Sequence, residues 1–453
     1  MKPKNHPLGR AVAQALVAFP NARRIAVAFS GGLDSSVLLH LMQGCVAGRD
    51  IALHAFHVHH GLSGDADQWS AHCRDVCESL NLPFSVRRVE VKRDGGTGVE
   101  EAARNARYAA LGAMCTEHQI ELLLTAHHID DQAETVLLQL LRGSGIAGIA
   151  GMEASNLAPT LLGNASVTMV RPLLDVSRAD LEQYARTQGI ANIEDESNRD
   201  ARYARNALRL AVMPVLEQHF PGFSARFART AQHAHAAQIL LDDLAQQDLE
   251  RCRAEDALEL TRMTGMSDAR IDNLFRYWFA GRGLRMPSTA WLKEMRNQLM
   301  LAKPEAQLCV THPDCHIRRH RNRVYIVPRQ DGREPPAPQN FNWNGEASLH
   351  FPAFRGALLF EPAEQGVATD WLRARACTIH LREGGERLKL APDRPTRSLK
   401  QHYQAQDVPA WERSTLPLIS IAGQLLFVAR LGMDCAYFGK AGEVCVRLQW
   451  RWD

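Results

Sequence analysis

The chain has 453 residues, 45% hydrophobic and 23% charged, an ordinary globular balance that excludes a disordered or fibrous design; at roughly 150 residues per domain, about three domains are expected. Its 53 Lys and Arg against 50 Asp and Glu give a net charge of +3, too small to mark a nucleic-acid binder by itself, so any basic surface is local. The ten scattered cysteines lack the density of a secreted disulfide scaffold, Met1–Pro20 has no long apolar core, and no segment approaches about eighteen uninterrupted apolar residues, so reduced thiols, a cytoplasmic location and no membrane partner are expected.

Along the first half, hydrophobic spacing alternates between the periods of strands and helices. Arg24 to Phe29 reads as a buried strand, Ser30-Gly31-Gly32 as a turn, and Val37 to Met42 as the apolar part of a helix. Strand signals follow at Ile51–Val58, Phe84–Val89, Glu121–Ala126 and Ser166–Pro172, and helix signals at Asp67–Leu80, Val99–His118, Asp131–Leu141 and Ser177–Gln188. This predicts an α/β domain over residues 1–215, built on an open, doubly wound, mostly parallel sheet. Helical spacing from Asn206 to Gln247, with one Pro221-Gly222 break, predicts a mainly helical middle domain over 216–330 that closes with short strands near 307–310 and 324–327. A connector at 330–339, rich in Pro, Gly and charge, leads to a small α+β domain over 341–453.

The string Ser30-Gly31-Gly32-Leu33-Asp34-Ser35-Ser36 lies between strand and helix, where backbone N–H groups and the helix N-terminus favour an anion. Paired glycines let phosphate oxygens approach, three serines add hydroxyls, and Asp34 faces a phosphate productively only across a cation such as magnesium. No Gly-Lys-Ser or Gly-Lys-Thr ending follows, which disfavours a Walker-type kinase or GTPase. The plain alternative is a ligand-free turn with Asp34 or Ser35 as N-cap.

His57-Val58-His59-His60 and Thr125 to Thr135 each follow a strand and therefore belong at the C-terminal sheet edge, where open α/β folds bind ligands. The second segment gathers Asp130, Asp131 and Glu134 beside His127 and His128, acids able to hold magnesium, receive an ammonium group or act as base. Asp131 and Glu134 also have capping-box spacing, which leaves Asp130 unexplained. On the helix from Val99, Ala102, Ala106, Ala109, Ala110 and Ala113 mark the face expected on the sheet. Glu101, Arg104, Asn105 and Tyr108 stand opposite, where Arg104 is either solvated or neutralises a phosphate.

The loop, Phe56-His57-Val58-His59-His60-Gly61-Leu62, Glu100–Arg104, Thr125–Gln132, Leu141–Gly145, Arg171–Leu174 and Glu194–Arg209 together resemble the tRNA(Ile)-lysidine synthetases, PP-loop enzymes that split ATP at its α-phosphate. Matches at Arg382–Leu388, Ser398–Lys400 and Trp411–Ile419 resemble the long form with two C-terminal domains. The resemblance implies a ligase in which ATP adenylates the wobble cytidine of an isoleucine tRNA with a CAU anticodon. L-lysine then displaces AMP to leave lysidine, changing the codon read from AUG to AUA. It implies ATP contacts from Ser30, Gly31, Gly32, Leu33, Asp34, Ser35, Ser36, His57 and Arg104, and catalysis by Asp34, Asp130, Asp131 and Glu134. Magnesium would sit on Asp34 and Asp130, and His127, Asn198, Arg202 and Arg205 would meet lysine or tRNA.

Between Arg382 and Lys400 six basic residues, among them Arg394, Arg397 and Lys400, face three acidic ones, and His316–Arg323 carries Arg318, Arg319, Arg321 and Arg323. Both stretches are candidates for tRNA phosphate contacts, though solvated surface explains either alone. Cys309, His312, Cys315 and His316 have a spacing that zinc accepts and that a strand-turn-strand explains equally. A PP-loop tRNA thiolase is the enzymatic rival, disfavoured because no Cys-x-x-Cys pair occurs. A non-catalytic tRNA-binding protein is disfavoured by the intact loop. The general base and homodimer formation stay open at this level.

Overall fold

Near-continuous apolar runs bounded by glycine suit strands that are covered on both faces, and such runs build the centre of the first unit. The computed structural model describes residues 6–61, 64–90, 99–193, 202, 204–303, 306, 308–329 and 335–453, with 99 and 100 as backbone only. The chain divides into two units, Met1–Gln246 and Gln247–Asp453.

The first unit runs α1 (Pro7–Val17), β1 (Arg24–Ala28), α2 (Leu33–Val46), β2 (Ala52–His59), α3 (Ala66–Ser79), β3 (Phe84–Arg88), α4 (Val99–Glu117), β4 (Leu122–Leu124) and α5 (Ile129–Leu141). It continues through α6 (Ile146–Ile149), β5 (Ser155–Leu157), α7 (Pro159–Leu162), β6 (Thr168–Val170) and α8 (Arg178–Gln188). The sheet order is β3-β2-β1-β4-β6-β5, parallel except at the β5–β6 edge. This is the doubly wound sheet expected, with α1 and the antiparallel edge strand as additions. Because the chain builds outward from β1 on one side and returns to its other side with β4, the order reverses there, and ligands of such sheets sit beyond the C-terminal strand ends at that point.

Strand alternation divides the core. Ile25, Val27, Leu53 and Leu124 pack with α1, α2, α3 and α8, whereas Ala26, Phe56, Val58 and Leu123 pack with α4. The α4 face differs in part from the expectation: Ala110 is buried and Ala102 and Ala106 are half-buried as expected, but Tyr108, Leu111, Met114 and Cys115 are buried too while Ala109 and Ala113 are exposed. Larger side chains remove more apolar area from water, so the inward face is rotated toward them and away from Ala109 and Ala113.

After α8 come α9 (Ala204–Ala207), a π-helical stretch at Leu208–Val212, α10 (Met213–His219) and α11 (Phe223–Cys252), which leads into the second unit. The π turn ends just before Pro214, which has no N–H to continue a regular helical ladder.

In the second unit β7 (Arg253–Ala254), β8 (Ala257–Glu259), α12 (Asp268–Gly281), α13 (Thr289–Leu301), β9 (Cys309–Thr311), β10 (Cys315–His320) and β11 (Arg323–Pro328) follow. The strands form the sheet β7-β8-β11-β10-β9, which shares a core with both helices around Phe275, Phe279, Leu292 and Ile317. The remainder comprises β12 (Gln339–Asn342), β13 (Ser348–Phe351), β14 (Gly356–Ala363), β15 (Val367–Ala368), α14 (Thr369–Arg373), β16 (Ala376–His380), β17 (Arg387–Leu388) and β18 (Arg397–Ser398). It ends with α15 (Leu399–Ala405), α16 (Ala410–Arg413), β19 (Leu418–Ile421), β20 (Gln424–Val428), β21 (Gly432–Met433) and β22 (Cys445–Trp452). Sheets β12-β16-β19-β20-β21 and β13-β14-β22-β15 enclose Tyr403, Leu418 and Phe427. All ten cysteines are free, and no helix among the described residues is long and apolar enough to cross a membrane.

Candidate functional site

The loop after β1 is a hydrogen-bonded turn that opens α2. Gly32 is the N-cap, with no side-chain cap, so neither Asp34 nor Ser35 plays the capping part that the ligand-free reading assigned them. Ser35 Oγ instead donates to Gly32 O at 3.0 Å and lies 3.1 Å from Ser30 Oγ. Ser36 Oγ donates to Gly31 O at 3.3 Å. The hydroxyls thus shape the turn from within and leave the α2 N-terminus free of a side-chain cap. Gly31 has φ +83°, a backbone conformation that favours glycine.

Asp34 stands in the first turn of α2. Its Oδ1 is buried without a hydrogen-bond partner among the described residues, and its Oδ2 lies 3.7 Å from His128 Nε2. Burial pushes its carboxyl above the ordinary range, against the pull of His128 and Arg178.

His128 is the hub. It is buried and is the N-cap of α5, accepting the Asp131 N–H at Nδ1 while the Asp131 carboxylate accepts the His128 N–H. The capping box is therefore His128 with Asp131, not Asp131 with Glu134 as the spacing suggested. An imidazole nitrogen fills the acceptor role that an aspartate would have taken one turn later. His128 Nε2 is also 3.4 Å from Asp131 Oδ2, and Nδ1 is 3.6 Å from Asp130 Oδ2.

The three acids after it have different partners. Asp130 accepts from the Arg178 N–H at 3.0 Å, at the start of α8, and from Ser224 Oγ at 2.8 Å, at the start of α11. Glu134, 1% exposed, receives Arg205 Nε at 2.7 Å and Arg209 Nε at 2.6 Å. Asp131 Oδ1 receives the outer nitrogens of the same two arginines at 3.1 and 3.3 Å. Burial alone would raise Asp131, but His128, Arg205 and His127 outweigh it and hold the carboxyl below its usual value.

His57 is buried at the end of β2, its Nδ1 2.9 Å from Phe29 O. Burial lowers its pKa more than this bond raises it. His127 bonds Thr125 Oγ1 at 2.9 Å, and burial first, then the nearby arginines, drive it down to about 3. Both are neutral at physiological pH.

Arg104 is exposed on α4 with its Cζ 5.1 Å from the Tyr108 ring; no described hydrogen bond ties it to the loop. Arg202 is exposed on a turn just before α9. Asn198, the rest of Glu194–Asp200, Leu62, Ser63 and the side chain of Glu100 lie outside the described residues. The structure adds Arg209 and Ser224 to the site. Arg209 was legible as the i+4 partner of Arg205, matching the i+3 spacing of Asp131 and Glu134; Ser224 had no local signal.

In the second unit Arg394, Arg397 and Lys400 are exposed. The basic run at His316–Arg323 is instead largely engaged within the unit. Arg319 is buried and donates to Leu299 O at 2.6 Å and Ala302 O at 2.7 Å, Arg321 pairs with Asp407, and Arg323 pairs with Glu259. Arg319 is therefore removed from the expected phosphate surface, because it caps the open carbonyls at the end of α13. His312 has both ring nitrogens bonded to backbone, Nε2 with Arg285 O and Nδ1 with the Asp314 N–H. Cys309 lies on β9 and Cys315 and His316 on its antiparallel partner β10, with His312 beside the turn between them, the strand-turn-strand that the spacing allowed.

A glycine turn with an uncapped helix start, set at the reversal point of a parallel sheet and lacking the Walker lysine, defines a nucleotide-binding domain of the PP-loop class. Residues 5–216 match the family model of a PP-loop domain, 258–325 the TilS substrate binding domain, and 377–450 the TilS substrate C-terminal domain. The chain is 44% identical over 420 residues to tRNA(Ile)-lysidine synthase of Ralstonia nicotianae, covering 90% of this chain and 89% of the relative. It is 42% identical over 478 residues to the protein of that name in Burkholderia pseudomallei, covering 98% and 96%, and 36% identical over 428 residues to that of Nitrosomonas europaea, covering 94% and 92%. The chain belongs to the tRNA(Ile)-lysidine synthase family.

Proposed function

We propose that this enzyme adenylates the wobble cytidine of isoleucine tRNA with ATP and then joins L-lysine to it. The observation that carries the reading is the loop: an uncapped helix N-terminus behind two glycines, beside a buried aspartate oxygen that has no hydrogen-bond partner among the described residues. ATP phosphates would lie on the Ser30–Ser36 turn, where backbone N–H groups and the α2 dipole offset charge that grows on the departing pyrophosphate. The cytosine carbonyl oxygen attacks the α-phosphate, and pyrophosphate leaves from the loop.

Magnesium fits Asp34, since one carboxylate oxygen there has no hydrogen-bond partner among the described residues and this ion is commonly held by one or two carboxylates together with phosphate oxygens and water. It would neutralise phosphate charge. Asp130 fits less well, because both of its oxygens already serve Arg178 and Ser224.

The Asp131, Glu134, Arg205 and Arg209 cluster suits a zwitterion, with acids for the ammonium and guanidinium for the carboxylate of free lysine. Asp131 is held below the ordinary range, so it serves better to orient the ammonium than to take its proton. Reduced cysteines favour a cytoplasmic setting.

The test is to follow labelled AMP from α-labelled ATP, with pyrophosphate assayed separately, in the presence of isoleucine tRNA transcript and L-lysine. AMP and pyrophosphate, formed only with the RNA, support the reading. ADP and phosphate overturn it.

A further inference from the structure

We propose that Cys73 is a positioning residue of the phosphate loop: its sulfur is the wall that holds Gly31 in the left-handed conformation from which the loop N–H groups meet phosphate. The inference rests on the nucleotide reading of the Ser30–Ser36 turn.

Gly31 is gripped from two directions. Its carbonyl accepts from the Ile193 N–H at 2.9 Å and from Ser36 Oγ at 3.3 Å, which fixes the peptide plane. Its bare Cα faces α3, where a methyl group added at Gly31 would stand 2.9 Å from Cys73 Sγ and 3.7 Å from His72 Cδ2. A separation that short means that the sulfur, with Ile193 Cδ1 at 3.6 Å, occupies the space a side chain would need. Gly31 is thus required twice, by φ +83° and by the sulfur.

Cys73 is 0% exposed, as is Cys77 one helical turn later. Burial, and secondarily Cys77, push the Cys73 thiol up to about 12, so it is neutral and neither a nucleophile nor a metal ligand. What remains is its volume. A larger side chain in this packed layer displaces the loop, a smaller one lets it sag, and a hydroxyl keeps the shape but lacks a partner. Simple core filling predicts a loss of stability alone; a wall for the loop also predicts a loss of ATP affinity.

The experiment uses the full chain and measures binding of a non-hydrolysable ATP analogue by calorimetry, steady-state AMP formation, tRNA binding and the thermal midpoint. Cys73→Leu is expected to weaken analogue binding about ten-fold and lower kcat/KM for ATP about a hundred-fold, with tRNA binding unchanged. Cys73→Ser is expected to restore KM for ATP to within about two-fold of wild type while lowering the midpoint, which separates shape from stability. If Cys73→Leu does not fold, the pair Gly31→Ala and Gly31→Ala/Cys73→Ala carries the test. Removing the sulfur should return at least about three-fold of the affinity that Gly31→Ala loses. Wild-type analogue affinity in a folded Cys73→Leu chain, or equal affinities for that pair, overturns the proposal. A wild-type chain that makes ADP rather than AMP overturns the nucleotide reading instead.

Discussion

Asp34 and Glu134 are both acids of the crevice, yet their surroundings give them opposite tasks. Asp34 keeps a buried oxygen without a hydrogen-bond partner among the described residues, so Asp34→Ala should cut ATP-dependent adenylation by about a hundred-fold while tRNA binding stays within a few-fold. Pyrophosphate release at the normal rate would remove the role given to this carboxylate. Glu134 spends both oxygens on Arg205 and Arg209, which keep 25% and 30% of their side-chain surface exposed. Neutralising it as Glu134→Gln should cost about 2 kcal/mol, below the range for a fully buried pair because the arginines are partly solvated. It should also raise KM for lysine; an unchanged urea midpoint would argue against the pairing.

His127 supplies a pH test. Its pKa falls from 6.5 in the unfolded chain to about 3 in the fold, with burial as the main cause. Between those values the unfolded state binds a proton that the folded state does not, so stability declines as pH is lowered across this window. Asp131, lowered from 3.8, adds a loss only below that value. His127→Gln should therefore flatten the dependence of urea unfolding on pH between about 6 and 4, and an unaltered slope would contradict the assignment.

At the scale of elements, the βα alternation of the first unit was legible because each strand is a short apolar run and each helix has its own period. The features that escaped reading depend on distant partners. Asp130, left over by local spacing, is explained by Arg178 and Ser224, 48 and 94 residues away. Only the start of β10 was legible, as the second strand of the strand-turn-strand spacing, because a buried arginine, Arg319, interrupts its apolar alternation further on; the carbonyls of Leu299, Ala302 and Arg321 make that burial tolerable.

The β10–β11 hairpin also joins the α15–α16 segment within the second unit. Trp411 meets Tyr325 at 5.5 Å and His320 at 6.0 Å between ring centroids, and Arg318 Cζ lies 5.5 Å from its ring. Asp407 takes His320 Nε2 at 2.8 Å and Arg321 Nε at 2.7 Å. The double variant Trp411→Ala/Asp407→Ala should loosen this clasp. Unfolding of a chain comprising residues 247–453, followed by far-UV circular dichroism, should then split into two transitions; one transition in both forms would show that the clasp is not what couples them.

On the scale of the whole molecule, a net charge of +3 leaves RNA binding to local patches. Arg394, Arg397 and Lys400 are exposed, whereas the other basic run is largely turned to internal pairing. Replacing Arg394 and Arg397 with alanine should lower the slope of log affinity for tRNA against log salt by about one for each phosphate that the patch no longer neutralises. An unchanged slope would take the patch out of the interface. The central claim is tested most directly by incubating the chain with ATP, labelled lysine and an isoleucine tRNA transcript bearing a CAU anticodon. The account predicts label joined to the wobble cytidine only when ATP is present; RNA that stays unlabelled with lysine but gains sulfur from a sulfur donor would contradict it.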